Sequence, residues 1–257
     1  MAGVRNPWEI YDRLIEGVPA GVRVIEACVG SHWTCVSAES GAGVAYTFHG
    51  GVAPAAEREV AGARLRDVAA LVKSWCFEDA SLGAAALNAW YASPQKLEGP
   101  DLLTGEGSDG FSLVMDRIKA RGGCPKACVI GHFPHMDELA AASDLTVLER
   151  RPREGDLPDA ACEYVLPQAD FVLMTGTTFT NKTMPRLLEL AKDATVLVTG
   201  PTTPMLPVLF DYGIDVLAGR IVGDASAALT ACATGAPFGN AFLKCALVRP
   251  GVSRCLV

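Results

Sequence analysis

The sequence predicts an α/β protein: a doubly wound, mainly parallel sheet preceded by a smaller α+β unit. Between residues 169 and 219, short apolar runs (Phe171–Met174, Thr195–Val198, Ile214–Ala218) alternate with helical patterns over Lys182–Lys192 and Pro204–Tyr212. That alternation is the pattern of successive βαβ units. Before residue 95, three strand-like runs precede two helices, so strands and helices are segregated.

Taken in order, Trp8, Tyr11, Leu14 and Ile15 recur at spacings of three and four and predict a helix over 7–16, ended by Gly17 and Pro19. Val22–Val29, Trp33–Ala38 and Gly43–Phe48, separated by short turns, predict an antiparallel meander. Residues 49–56 read as a loop. Helices follow over Arg64–Trp75, with its apolar residues largely on one face, and over Phe77–Tyr91, whose alanines suit close packing. The first domain closes near Ser93-Pro94, giving domains of residues 1–95 and 96–257, and the Gly- and Pro-rich stretch 94–110 reads as a linker. The second domain opens with a helix over Phe111–Arg121. Strands are then predicted at Lys126–Gly131 and Leu145–Leu148 around a helix at Met136–Ala142, with a short helix near Ala160–Leu166. After the central stretch, 224–233 reads as a helix and Phe242–Val248 as a last strand. Ligands of such sheets bind beyond the carboxyl ends of the strands.

Half the residues are apolar and a fifth are charged, an ordinary globular balance. The net charge of −7 argues against a nucleic-acid partner, which needs clustered Lys and Arg. No stretch approaches the roughly 18 unbroken apolar residues of a membrane span, and Met1–Trp8 has no apolar signal core. The expectation is a cytoplasmic protein with no membrane partner. Nine scattered cysteines without a CxxC pair read as reduced thiols, several of them small core hydrophobes.

Cys124, Cys128, His132 and His135 have the spacing of zinc ligands. If 126–131 is a strand, however, Cys124 and His132 lie roughly 25 Å apart, and the four do not meet at one ion. His132 and His135 alone, after a strand end, are candidate metal ligands or proton carriers; the alternative is a loop histidine bonded to backbone. The same loop supplies Gly131 and Phe133, but it lacks G-x-G-x-x-G, which makes a standard dinucleotide site doubtful. Glu149 ends the next strand, where an acid takes a ribose hydroxyl in dinucleotide folds. Arg150, beside Arg151 and Arg153, is able to receive a carboxylate or phosphate; a solvated turn is the alternative. The loops Thr175-Gly176-Thr177-Thr178 to Asn181 and Gly200-Pro201-Thr202-Thr203 offer hydroxyls and backbone amides to an anion. Capping explains one residue in each, Thr180 or Asn181 and then Thr203 before Pro204, but not the repeated Thr-Gly. Asn88, alone on an alanine helix, either satisfies a backbone group or faces a cleft. No G-x-S-x-G, Walker loop or H-E-x-x-H is present.

Several of these segments resemble one family. Glu149-Arg150, Gly155–Ala160, Leu166–Asp170, Thr175–Thr178, Asn181-Lys182-Thr183 and Gly200–Pro204 resemble the Rossmann-like domain of a heavy-metal chelation family. Trp33-Thr34, Gly41–Thr47, Gly62–Ala69 and Leu82–Ala89 resemble its N-terminal partner, which has an enolase N-terminal-like fold. The resemblance implies a cleft between two domains, with the site where the Rossmann-like loops face the smaller one, so Thr34 and Asn88 join the candidates.

The leading expectation is a protein of metal metabolism that binds a transition metal, or a small chelate of one, in that cleft. His132 and Glu149 would contact the ligand, with the Thr/Gly loops and Arg150 on its oxygens. Hard oxygens with one imidazole do not select a soft metal, so for a soft metal a chelator would bring most of the ligands. The runner-up is an enzyme using a nucleotide-like cofactor or substrate in the same crevice. The third is a non-catalytic assembly partner, and the composition allows a homo-oligomer.

Overall fold

The computed structural model describes residues 6–53, 59–93, 96–97, 102–104, 110–134 and 136–251. Helix α1 (Glu9–Glu16) buries Ile10, Tyr11 and Leu14. Strands β1 (Val24–Val29), β2 (Trp33–Ala38) and β3 (Gly41–Tyr46) form an antiparallel sheet in that order. Helix α2 (Leu65–Ala69) tightens into a 3-10 turn over Ala70–Lys73. This turn releases the chain two residues before the predicted end and leaves Trp75 half exposed. Helix α3 (Phe77–Tyr91) has the predicted bounds and lies on β3 and β2. Its alanines let the backbones approach so closely that a Cβ at Gly43 would fall 2.1 Å from the Ala89 amide nitrogen.

The larger sheet comes next in the chain. Strand β4 (Leu102–Thr104) lies inside the stretch read as a linker, a correction to that reading. It is three residues long and pairs with a distant strand, so no periodicity announces it. Then follow α4 (Gly110–Arg121), β5 (Lys126–Ile130), α5 (Met136–Ala142), β6 (Asp144–Glu149), β7 (Leu157–Pro158) and α6 (Cys162–Val165). Strand β8 (Phe171–Thr175) leads into two short helices, α7 (Thr177–Thr180) and α8 (Met184–Leu190), where one helix over 182–192 is predicted. The chain continues through β9 (Thr195–Thr199), β10 (Val216–Val222), α9 (Ala225–Thr234) and β11 (Phe242–Val248). The predicted helix at Pro204 begins instead at Pro207, as a 3-10 segment reaching Tyr212. Thr203 is held in a turn by its amide bond to the Gly200 carbonyl.

Among the described residues the larger sheet has eight strands in the order β4-β11-β10-β9-β8-β5-β6-β7. The pairs from β10 to β7 are parallel, while β11 is antiparallel to both its neighbours. The sheet is therefore mixed at one edge. It is apolar on both faces, as strands covered on both sides require. Val129, Leu173 and Leu197 pack with Leu113 and Ile118 of α4. Cys128, Val172, Met174 and Val196 face a second core that is continuous with Val36, Ala45 and Leu87 around the small sheet. The second face of the small sheet is covered by α9, through Cys35, Val44, Ala228 and Cys232. Among the described residues, no helix is long and apolar enough to cross a membrane.

Candidate functional site

Reading the parallel strands by their place in the chain, β5 is first, β6 second and the short β7 third, and β8, β9 and β10 follow; in space they run 3-2-1-4-5-6. The strand order reverses between β5 and β8, and the space beyond their carboxyl ends is the usual ligand position in sheets of this order. A cavity of about 420 Å³ occupies it, a size suited to a small organic ligand.

The walls follow from the strand ends. Strand β5 delivers Ile130 and Gly131, and Gly131 takes φ +100°, a conformation open to glycine. Strand β6 delivers Glu149 and Arg150. The Glu149 carboxylate accepts the amides of Arg150 at 2.7 Å and Arg151 at 3.3 Å, so its charge is spent locally. Arg150 lies 3.4 Å from the Asp159 carboxylate and 5.5 Å from the ring centroid of Phe48, the crevice residue contributed by the N-terminal part. Strand β8 delivers Thr175, whose hydroxyl accepts that of Thr177 at 3.1 Å. Thr178 is buried and donates to the Thr175 carbonyl at 2.7 Å, a local turn bond. Asn181 ends α7 and accepts from the Thr183 amide and hydroxyl, at 3.1 and 2.6 Å, which fixes the turn before α8, where Thr183 and not Asn181 is the cap residue.

Lys182 and Arg186 also line the crevice. Arg186 is engaged by Glu163 on two nitrogens, at 2.9 and 2.6 Å, and by Glu189 at 2.9 Å. Lys182 differs. Among the described residues it is the non-glycine with positive φ, at 68°, a conformation that costs an L-residue roughly 1–2 kcal/mol. Its Nζ donates to the Thr180 carbonyl at 2.6 Å and lies 5.8 and 5.6 Å from the ring centroids of Trp75 and Phe77. Burial away from carboxylates pushes its pKa down to about 8. The rings attract the ammonium form, but at nearly 6 Å that attraction is at its outer limit, and the loss of water dominates.

Of the predicted residues, Gly131, Glu149, Arg150, Thr175, Thr177, Thr178 and Asn181 line this cavity. His132 does not. Its Nε2 lies 2.9 Å from Asp156 Oδ2. The Asp156 carboxyl is held below its usual range by the Arg153 amide first and His132 second. Phe133 packs with the apolar residues under α4, and His135 lies outside the described residues. Gly176 sits at the entry to α7, where a Cβ would meet the Thr203 amide at 2.6 Å. The remaining candidates form a junction between the two sheets. Thr202 accepts the Tyr46 amide at 2.9 Å, Asn88 donates to the carbonyls of Val44 and Pro201 at 2.9 Å each, and Thr34 bonds Thr47 at 2.9 Å. The Gly200–Thr203 loop thus joins the two sheets. Buried and without a hydrogen-bond partner there are the Asn88 carbonyl oxygen and the Thr203 hydroxyl.

Lys182, Arg186, Asp159 and Phe48 were not predicted. For Lys182 the signal was its place between Asn181 and Thr183, beside a loop already singled out. Among the described residues, no three His, Cys, Asp or Glu side chains are grouped to hold a metal ion.

A family model described as "Putative heavy-metal chelation" matches residues 117–249, and a second model with the same description matches residues 11–91. A crystal structure of a protein of unknown function from Desulfitobacterium hafniense is 33% identical. The match covers 95% of this chain and 98% of that one, with a TM-score of 0.81. A second, from Pyrococcus horikoshii, is 19% identical over 94% of this chain and 99% of that one, with a TM-score of 0.77; it shares the fold. An uncharacterized protein of Methanocaldococcus jannaschii is 31% identical over 167 residues, 62% of this chain. The match spans 61% of that relative's length.

Proposed function

The chain belongs to the family described as "Putative heavy-metal chelation", and from that premise we propose that the crevice beyond β5, β6 and β8 binds a small anionic chelating molecule, alone or carrying its metal. The observation that carries this reading is the lining: Arg150, Lys182 and Arg186 with the hydroxyls of Thr175 and Thr177. Cations and hydroxyl donors suit carboxylate or phosphate oxygens. A bare soft ion would need thiolates or imidazoles. The crevice offers the Cys162 thiol, which burial pushes toward its protonated form, so the lining does not fit a bare soft ion. A chelator supplying its own ligands fits. This reading includes the division into an enolase N-terminal-like unit over 1–95 and a doubly wound Rossmann-like unit over 96–257. The separate family matches and the 3-2-1-4-5-6 order of the parallel strands support it.

Citrate, a tricarboxylate chelator, should bind one-to-one in titration calorimetry. Thr177→Val and Arg150→Ala should each weaken it about tenfold or more, the worth of a hydrogen bond to a charged group, with thermal stability unchanged. Metal salts without chelator should give no saturable heat. Saturable metal binding without citrate binding would reject the reading. The crevice also lies where doubly wound sheets take nucleotide cofactors, so a nucleotide-like ligand of an enzyme is the second reading. Flavin mononucleotide in the same titration separates the two.

A further inference from the structure

We propose that Lys182 is a carbonyl-reactive lysine whose ε-amine condenses with the 2-oxo group of a small carboxylate held in the crevice. This rests on the reading that the crevice takes anionic oxygens, and it adds a covalent step. The Nζ lone pair attacks the carbonyl carbon, a C–N bond forms, and the carbonyl oxygen becomes a hydroxyl. That hydroxyl then leaves as water with a proton from the nitrogen, giving an imine. Amine and carbonyl become imine and water, so no oxidant or reductant is required.

Three features of the site single out this amine. Lys182 lines the cavity, and among the described residues it has no carboxylate partner, whereas Arg150 and Arg186 both do. Its Nζ lies 5.8 and 5.6 Å from the ring centroids of Trp75 and Phe77, apolar neighbours beside the crevice that limit solvation of an ammonium. Its backbone holds φ 68°, where glycine would be at ease. A strained conformation persists when the surroundings over-determine it, and such residues cluster at functional sites. The depressed basicity agrees with the geometry. With a pKa of about 8, about one amine in ten is free base at pH 7, against on the order of one in a few thousand for an unperturbed lysine. The crevice cations and hydroxyls would hold the carboxylates while the carbonyl carbon meets Nζ.

The test uses the full chain with 2-oxoglutarate and sodium borohydride, read by intact mass and peptide mapping. The expected result is a single reduced adduct on Lys182 that Lys182→Arg abolishes. Its rate of trapping should rise with pH through about 8, because deprotonation creates the nucleophile, and should level off above it. In parallel, 2-hydroxyglutarate, which has the carboxylates without the carbonyl, is titrated by calorimetry. Binding of the hydroxy acid without an adduct would overturn the imine and leave the crevice reading standing. Neither binding nor adduct would overturn both. Adducts spread over surface lysines, or one that survives Lys182→Arg, would also overturn the proposal. Lys182→Gly, which suits the backbone, provides a second variant that should fold and form no adduct.

Discussion

Gly43→Ala is expected to lower the melting temperature by about 6–12 °C. Strand β3 lies against α3 with no side chain between the two backbones at this point. A Cβ at Gly43 would stand 2.1 Å from the Ala89 nitrogen, 2.4 Å from the Ala85 oxygen and 2.4 Å from the Asn88 carbonyl carbon. All three are main-chain atoms of one helix, so none moves aside as a side chain would. Either α3 shifts, which disturbs the alanine packing of Ala84, Ala85 and Ala86, or β3 leaves its register with β2. Overpacking of this kind costs about 3 kcal/mol, and for a chain of this size each kcal/mol moves the melting temperature by about 2–4 °C. A melting curve superimposable on the parent's would show that the two elements separate freely, and would defeat the close-packing account.

Asn88→Ala is expected to cost about 2–4 kcal/mol in a urea melt, without touching the crevice. The Nδ2 group donates at 2.9 Å to the carbonyls of Val44 and of Pro201, and the residue is 1% exposed. One side chain therefore joins the small sheet to the loop after β9. Its removal leaves two carbonyl oxygens without this donor, and each buried group left unsatisfied costs about 1–3 kcal/mol. The neighbouring Tyr46 amide bond to Thr202 crosses the same junction, so the loss should be cooperative. Combined with Gly43→Ala, the two effects should not add, since the residues touch. A cost below about 0.5 kcal/mol, the level of an ordinary surface change, would show that Asn88 does not hold the sheets together. Citrate binding should survive the substitution under conditions where the variant is folded.

Asn88 also shows what sequence reasoning can and cannot reach. Its oddity on a helix of alanines was visible, and so were both possibilities, backbone partner or cleft residue. The structure shows it bonded to backbone, with partners 44 and 113 positions away. The two Thr/Gly loops looked alike in sequence, yet the first lines the crevice and the second joins the sheets, because Thr175 ends β8 beside β5 whereas the loop after β9 is held by Tyr46 and Asn88 of the N-terminal part. Long elements with strong patterns, such as α3, β2 and β11, have the bounds their periodicity predicts. Strand β4 has only three residues, and its partner lies at the far end of the chain. Lys182 looked like the first residue of a helix, and its left-handed backbone is set by the surroundings of the turn.

The pairing of β4 with β11 also bears on how the molecule is made. Strand β4 precedes all the other strands of the large sheet in the chain, and β11, which follows all of them, lies between β4 and β10. During synthesis β4 emerges early and waits for a neighbour that is translated after every parallel strand. Its closure spans the whole sheet, the kind of long-range contact that slows folding. Until β11 arrives, the edge of β10 is open and available to other chains. Completion of the sheet thus follows all the parallel strands, and a nascent chain stalled before Phe242 would have those strands but lack the one that covers their edge.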